Sequence, residues 1–377
     1  MVIAQRDWIG LSKWELDTPC LVIDEEVLEG NIRTMQSHAA SFGKQLRPHV
    51  KTHKCSQIGK MQLEAGCAGL CVAKVSEAEV LVKNGIRGIL ITSPVVTGFK
   101  MERLMDCLAE DPGLMVVIGD STNARDLDGI AGKKGLTLNV LVDLDPGNGR
   151  TGVPFKDGLP LGRLIETLPS LRLCGVQCYA GQVQHIVSFD ERYQASLHWM
   201  EQAAEVVRQF LQAGLPCHIF TGAGTGTYEI DCTIPELTDL QVGSYALMDA
   251  EYLGIGSSQD PTRFDKFPPA LTLLTTVINA NHDHFVTVDA GLKTLYHHGA
   301  TPYVLHPSGS GFQYEWWGDE HGRIALSNRS KKPHIREVLE LVVSHCDPTV
   351  NLFDLLYFTR EGKVTGVWPV DLRGKCQ

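Results

Sequence analysis

The sequence predicts an α/β fold, a (β/α)8 TIM barrel followed by a C-terminal all-β domain. Two observations lead to this prediction. Eight short apolar runs alternate with helical segments over the first two thirds of the chain, and from about residue 266 helical periodicity gives way to short runs rich in Val, Thr, Leu and aromatic residues. Parallel strands covered by helices are continuously apolar, and eight βα units in about 250 residues are typical of a barrel. A doubly wound open sheet is the alternative, and the count of eight favours the barrel.

The predicted elements follow in chain order. A strand at 18–24 precedes a helix at 25–43, whose apolar residues recur at helical spacing. The barrel strands come next, at 46–51, 69–73, 88–93, 114–120, 138–145, 171–180, 217–223 and 239–249. We predict that residues 25–265 form the barrel. Residues 266–377, with residues 1–24 attached, form the predicted β-domain.

The composition is that of a globular protein with more than one domain. The chain has 377 residues, of which 43% are hydrophobic and 21% charged, and it is too long for one ordinary core. The net charge of −10, without a long basic block, argues against nucleic acid or an anionic membrane as a partner. The N-terminus shows no signal-peptide pattern, no apolar run approaches membrane-spanning length, and the eleven cysteines are scattered. We therefore predict a cytoplasmic protein with reduced core thiols.

The stretch RPHVKTHK, residues 47–54, is the candidate for the reacting centre. Its basic residues are Arg47, His49, Lys51, His53 and Lys54. A lysine amine becomes nucleophilic when burial or neighbouring cations lower its pKa. Lys51 has two histidines and a second lysine within three positions, at the end of the first barrel strand, and so suits a Schiff base. From this stretch alone, a solvated basic strand end is the alternative.

Other candidates lie on loops that follow the carboxyl ends of barrel strands, where function is found in such barrels. Arg150 follows the fifth strand, and Tyr179 and His185 follow the sixth. Together with Lys51, they are predicted to lie at one mouth of the barrel.

The glycine-rich sequence TGAGTGT, residues 221–227, follows the seventh strand. Barrel phosphate sites form after strands seven and eight, and backbone N–H groups and hydroxyls supply the donors. The candidate phosphate-binding residues are Gly222, Gly224, Thr225, Gly226 and Thr227. A lysine at one strand end and a phosphate site at another suggest pyridoxal 5′-phosphate (PLP) as the cofactor.

A second cluster, SHCDPTVN at 344–351, follows a strand of the β-domain. In an extended chain the side chains of His345 and Asp347 would point the same way, and Cys346 would point away. An imidazole and a carboxylate suit a divalent ion such as Mn²⁺ or Zn²⁺. The alternative is a strand-end turn, with Asp347 before Pro348. The nearby GDEHG at 318–322 is interpreted as a turn.

These motifs together resemble one family. They occur in unbroken order from about residue 17 to the C-terminus: TPCLVID, RPHVKTHK, DLDPGNGRTGV, QCYAGQVQH, TGAGTGT, LQVGSYALMD, VDAGLK, DEHG and SHCDPTVNLFD. The chain is similar to the D-threonine aldolase and D-serine dehydratase-like family of alanine-racemase-like, fold-type III PLP enzymes, and most similar to its D-threonine aldolases. The resemblance implies a PLP barrel, a C-terminal β-domain and a homodimer.

By position, the resemblance implies roles for the barrel candidates. Lys51, rather than Lys54, is similar to the lysine that binds PLP. Arg150 and Tyr179 resemble residues around the cofactor ring, and His185 resembles an acid–base histidine.

The resemblance also covers the phosphate loop and the second cluster. The loop at 221–227 resembles the phosphate binder, with Ala223 where relatives often have glycine. His345 and Asp347 resemble the metal pair. Dehydratases of the family tend to have cysteine at the position of Asp347, where aldolases have aspartate.

The function implied is a PLP- and divalent-metal-dependent aldolase that cleaves D-β-hydroxy-α-amino acids such as D-threonine. The substrate amine would displace Lys51, the ion held by His345 and Asp347 would lower the pKa of the β-hydroxyl, and His185 would take its proton. Mn²⁺ is the expected ion, with Zn²⁺ and Mg²⁺ as alternatives. A D-3-hydroxyaspartate or D-serine dehydratase on the same fold, in which Lys51 removes the Cα proton, is the first rival. A non-catalytic PLP-binding protein is the second.

Overall fold

The eight predicted barrel strands are present, and each pairs in parallel with its neighbours. In chain order they are β2 (Gln45–Leu46), β3 (Leu70–Val72), β4 (Ile89–Ile91), β5 (Met115–Ile118), β6 (Leu138–Leu144), β7 (Leu171–Cys178), β8 (Ile219–Gly222) and β9 (Asp239–Leu240). The strand order is β2-β9-β8-β7-β6-β5-β4-β3. Backbone hydrogen bonds close the ring, since Cys71 N–H donates to Pro48 O (2.8 Å) and Val50 N–H donates to Cys71 O (2.9 Å). The prediction of a barrel rather than an open sheet is confirmed.

The structure is a computed structural model that describes residues 7–305, 311–327 and 331–377. Two compact units can be distinguished. One contains residues 33–51, 56–243 and 374–377, and the other contains residues up to 32, 52–55 and 244–373. The limits 25–265 and 266–377 derived from the sequence stay a prediction.

Several helices begin after a residue whose side chain accepts hydrogen bonds from free N–H groups of the first turn, as at Asp120, Ser188 and Asp249. Asp120, for example, accepts hydrogen bonds from the N–H groups of Thr122 (2.7 Å) and Asn123 (2.9 Å) at the start of its helix. The helices are α1 (Glu25–Ser41), α2 (Ser56–Glu64), α3 (Val75–Lys83), α4 (Gly98–Glu110), α5 (Ser121–Lys133), α6 (Phe155–Glu166), α7 (Phe189–Gln212), α8 (Tyr228–Asp231), α9 (Ala250–Leu253) and α10 (Cys346–Val350).

The remaining strands form one nine-stranded sheet. They are β1 (Cys20–Asp24), β10 (Leu271–Asn279), β11 (Phe285–Val288), β12 (Tyr303–Leu305), β13 (Phe312–Trp316), β14 (Gly322–Leu326), β15 (Val338–Val342), β16 (Leu355–Arg360) and β17 (Lys363–Pro369). Their order is β11-β14-β13-β12-β15-β10-β1-β16-β17, and β11 also pairs with β10, which closes six strands into a small antiparallel barrel. The all-β domain predicted from residue 266 is therefore confirmed. The sequence GDEHG, which was predicted to be a turn, connects β13 to β14.

The cysteines are free thiols, and most of them are buried. All eleven cysteines lie in the described ranges as free thiols, seven of them buried. Burial raises the pKa of Cys20 to about 12. Within those ranges, none of the helices has both the length and the apolarity that crossing a bilayer needs.

Arg47, the first basic residue of the RPHVKTHK stretch, is part of the barrel wall. Its guanidinium is buried, with Nε 3.2 Å from Asp239 Oδ2 and an Nη1 hydrogen bond to Gly88 O (3.0 Å). Burial raises the pKa of Asp239, and the charge of Arg47 opposes that shift. The pair joins β2 to β9 and to the residue before β4.

Removing one partner of this pair should destabilise the barrel. We expect Arg47→Met to lower the free energy of unfolding by about 3 kcal/mol, because it leaves the Asp239 carboxylate buried without its counter-charge. Urea unfolding followed by circular dichroism measures this. The control is the double variant Arg47→Met/Asp239→Leu, which should lose less than the single variant; equal losses would show that the buried charge carries no cost.

Candidate active site

Lys51 lies just beyond the end of β2, at the carboxyl mouth of the barrel. Its side chain is half-buried, and its backbone N–H donates to Nδ1 of His49 at 3.3 Å. His49 Nε2 is 3.1 Å from Thr92 Oγ1, and that hydroxyl donates to Val72 O at 3.1 Å. His49 thus bridges the backbone of Lys51 and the side chain of Thr92, the residue after β4.

Arg150 and Tyr179, predicted on different loops, meet at this mouth. The guanidinium carbon of Arg150 lies 5.4 Å from the centre of the Tyr179 ring, in a cation–π contact. The loop that carries Arg150 is shaped by Asp145, whose Oδ1 accepts from three successive N–H groups, those of Gly147, Asn148 and Gly149. The structure therefore brings these two predicted residues together.

A buried chain of amides fixes the strand ends from which these loops leave. Gln177 Nε2 donates to Asp143 Oδ1 (2.9 Å), and Gln241 Nε2 donates to both Gln177 Oε1 (3.0 Å) and Thr221 Oγ1 (3.1 Å). Burial raises the pKa of Asp143 to about 6, against the lowering effect of the Gln177 hydrogen bond. Strands β6, β7 and β8 are thus tied side by side at their carboxyl ends, a feature with no signal in the sequence pattern.

The glycine loop 221–227 is buried along its whole length, and Ala223 adopts the left-handed conformation with φ of 62°. Gly224 N–H donates to Thr227 Oγ1 (3.3 Å), and Gly226 N–H donates to Gln184 Oε1 (3.1 Å). The Thr227 hydroxyl donates to Asp231 Oδ2 (2.6 Å). The sequence predicted that Gly224, Gly226 and Thr227 offer these donors to a phosphate. In the structure the chain itself engages these donors, because a buried loop must satisfy its own polar groups. Their role toward a phosphate stays a prediction.

His185 follows Gln184 in the turn after β7. Its side chain is exposed, whereas that of Gln184 is buried. Sequence reasoning selected His185 from this turn and missed Gln184, which contacts the glycine loop. His185 therefore lies on a turn that is fastened to the glycine loop, and its role as a proton acceptor stays a prediction.

The segment with His345 and Asp347 is not extended, which corrects the prediction. β15 ends at Val342, His345 is the residue before α10, and Asp347 lies in the first turn of that helix. Asp347 and Pro348 favour a helix start, and the carboxylate of Asp249 accepts the N–H of Cys346 at 2.9 Å. Cys346 is fully buried, with its thiol 3.2 Å from Met248 O, so it is directed into the interior.

Asp249 is the second residue that sequence reasoning missed. This fully buried carboxylate holds His345 Nδ1 at 2.9 Å, and Glu251 Oε2 is 3.3 Å from the same nitrogen. Burial lowers the pKa of His345, but the hydrogen bond to Asp249 and the neighbouring carboxylates outweigh it and raise that pKa to about 9. The Nδ1 bond leaves Nε2 as the nitrogen that a metal would take, as in carboxylate–histidine–metal arrangements.

The donor sets suit the two groups that the resemblance implies. Among the described residues, no cluster of three or more His, Cys, Asp and Glu side chains is arranged for a metal. The imidazole of His345 and the carboxylate of Asp347 still suit a divalent ion that keeps positions for water or substrate. For PLP, the mouth of the barrel offers the amine of Lys51, the phenol of Tyr179 with the guanidinium of Arg150 over its ring, and the glycine loop 221–227.

Comparison with known proteins defines the class. The family described as alanine racemase, N-terminal domain, matches residues 23–250, and a serine dehydratase domain family matches residues 270–359. The chain therefore belongs to the alanine-racemase-like barrel enzymes, within the D-threonine aldolase and D-serine dehydratase-like family. The predicted family is confirmed, and the chain is accordingly an enzyme, a lyase.

Particular relatives match over nearly the whole chain. The 3-hydroxy-D-aspartate aldolase of Paracoccus denitrificans (strain Pd 1222) is 35% identical, over 97% of this chain and 94% of its own. The D-threonine aldolase of an Arthrobacter species is 36% identical, over 95% of this chain and 93% of its own. The crystal structure of D-threonine aldolase from Filomicrobium marinum superposes with a TM-score of 0.92, at 34% identity, over 98% of each chain.

Proposed function

We propose that this chain is a PLP- and divalent-metal-dependent aldolase that cleaves D-β-hydroxy-α-amino acids, D-threonine among them. The observation that carries the proposal is the oxygen donor of Asp347 two residues after His345, whose orientation Asp249 fixes. A hard carboxylate ligand favours an ion that holds and acidifies a hydroxyl, which is what carbon–carbon cleavage requires. The near full-length match to two aldolases supports the same choice.

Each predicted residue has a task in this proposal. PLP and the ion, when bound, would supply an electron sink for the carbanion at Cα and a Lewis acid at the β-hydroxyl. The Lys51 amine would bind the carbonyl carbon of PLP, and Tyr179, with Arg150 on its ring, would orient the cofactor. His185 would take the proton of the β-hydroxyl as the Cα–Cβ bond breaks.

Further features belong to the proposal. The ion is Mn²⁺, with Zn²⁺ and Mg²⁺ as alternatives; the protein is a cytoplasmic homodimer and acts on a small amino acid. Phosphate binding is assigned to the loop 221–227, with Gly222, Gly224, Thr225, Gly226 and Thr227 as the candidate residues.

Product analysis tests the reaction. With PLP and Mn²⁺, D-threonine should give glycine and acetaldehyde in equal amounts, and 3-hydroxy-D-aspartate should give glycine and glyoxylate. The L-enantiomers are the control and should stay intact. Chromatography separates all of these products. If 2-oxobutanoate and ammonia dominate instead, the enzyme is a dehydratase; a chain that binds PLP and turns over neither substrate would be a binding protein.

A further inference from the structure

The turn after β7 and the glycine loop after β8 interlock through one side chain, Gln184. Its Oε1 accepts from Gly226 N–H (3.1 Å), and its Nε2 donates to Ala180 O (3.2 Å) and to Thr227 Oγ1 (3.1 Å). The acceptor and both hydrogens of the amide are thus in use. With the amide reversed, Nε2 would face the N–H of Gly226, and Oε1 would face the carbonyl oxygen of Ala180. The orientation of the amide is therefore fixed.

The hydrogen bonds of Gln184 continue through Thr227 to Asp231 and Ser196 in the protein interior. Thr227 Oγ1 accepts from Gln184 and Gly224 and donates to Asp231 Oδ2 (2.6 Å), and Ser196 Oγ donates to Asp231 Oδ1 (2.6 Å). Every member of this chain is buried. Fully satisfied buried networks hold a single geometry, because any other would leave a polar group unpaired.

Gln184 also explains why residues 224 and 226 are glycines. A Cβ on Gly224 would overlap the Gln184 side chain, since it would lie 2.7 Å from Cδ as well as against Oε1. A Cβ on Gly226 would instead overlap the backbone of Gln184, with the carbonyl carbon 3.0 Å away and its oxygen closer. The φ angles at both positions are negative, so conformational freedom is not the reason.

We propose that Gln184 is the positioning residue of the glycine loop, whose shape it sets before any ligand binds. The assignment of the ligand as PLP rests on the proposed function; the shape of the loop does not. A site prepared in this way binds more tightly, because the cost of ordering the loop is already met by folding. Gln184 therefore acts through the loop and contacts the phosphate only indirectly.

The contrast between Gly224 and Gly226 gives a sharp test on the full-length protein. Gly224→Ala should lower the melting temperature of the cofactor-free protein. It should be rescued by Gln184→Ala, in the sense that it lowers the melting temperature little further when it is added to that variant, because the clash is with a side chain that is now absent. Gly226→Ala should not be rescued by Gln184→Ala, because that clash is with backbone. Gly129→Ala in α5, where a Cβ meets nothing within 4 Å, is the control.

A second readout separates positioning from general stability. Titration of PLP, followed by absorbance, should show Gln184→Ala weakening affinity by roughly tenfold to a hundredfold while the far-ultraviolet circular dichroism is unchanged. Gln209→Ala on α7, whose amide donates to Glu205 Oε1 on the surface at 3.4 Å, should bind PLP as the wild type does. Gln184→Met keeps the volume and loses the hydrogen bonds, and it replaces the alanine variant if that one does not fold.

The two proposals fail in different ways. Rescue of both glycine variants, or of neither, overturns the role of Gln184, as does wild-type PLP affinity in Gln184→Ala and Gln184→Met. A wild-type protein that does not bind PLP overturns the proposed function, while the melting-temperature comparison still decides the role of Gln184.

Discussion

Replacing Lys51 with alanine should lower kcat by roughly ten-thousand-fold and abolish covalent attachment of the cofactor, because removing a nucleophile removes the step that it performs. The position of Lys51 supports this: it is half-buried beyond β2, at the mouth that also carries Arg150 and Tyr179. Borohydride reduction of the wild-type protein with PLP, followed by peptide mapping, should place the label on Lys51.

Lys54 provides the matched control for that experiment. It is also half-buried, three residues further on, but its backbone has a positive φ of 46° and its carbonyl accepts from Leu372 N–H at 3.0 Å. Lys54→Ala should therefore keep the label and most of the activity. A label found on Lys54 would overturn the assignment of Lys51.

Removal of the metal should have the next largest effect. We expect chelation, or Asp347→Ala, to lower activity by roughly a thousandfold, since a Lewis acid supplies several kcal/mol to such a reaction. The absorption band of bound PLP should persist, because the predicted cofactor residues lie in the barrel and the metal pair does not. Adding Mn²⁺ should restore the chelated wild-type enzyme and leave Asp347→Ala inactive.

The neighbouring thiol is the control for the metal prediction. Cys346 is buried against Met248 O, so Cys346→Ala should cost about 1 kcal/mol of stability and little activity. The opposite pattern, with Cys346 essential and Asp347 dispensable, would identify a thiolate ligand and remove the argument for an aldolase.

The parts of the fold that were predictable have a periodic signal. Continuous apolar runs separated by amphipathic helices identify β2 to β9, and the change of texture near residue 266 identifies the antiparallel sheet. The segment at 344–351 was predicted as extended because it follows an apolar strand. Its helical start depends on Asp249, about a hundred residues earlier, whose carboxylate accepts the N–H of Cys346. No local pattern reports such a contact.

The candidate site, like the fold, is predictable from the sequence only in part. Chain order alone places Lys51, Tyr179 and the glycine loop at strand ends, because every parallel strand delivers its following loop to the same mouth. Which N–H and O–H groups of the loop can bind a ligand depends on side chains that are distant in the sequence. The N–H of Gly226, for example, donates to Oε1 of Gln184, 42 residues earlier in the chain.

The interlock around Gln184 has a consequence for protein engineering. The segment TGAGTGT cannot be transferred to another barrel by itself. Without a glutamine at the matching turn, the N–H of Gly226 would have no acceptor, and the loop would adopt a different conformation. Libraries that randomise position 224 alone should return glycine almost without exception, whereas libraries that vary 184 and 224 together should yield compensating pairs. Larger residues at 224 would then accompany smaller ones at 184, and homologues with a different residue at one position should differ at the other.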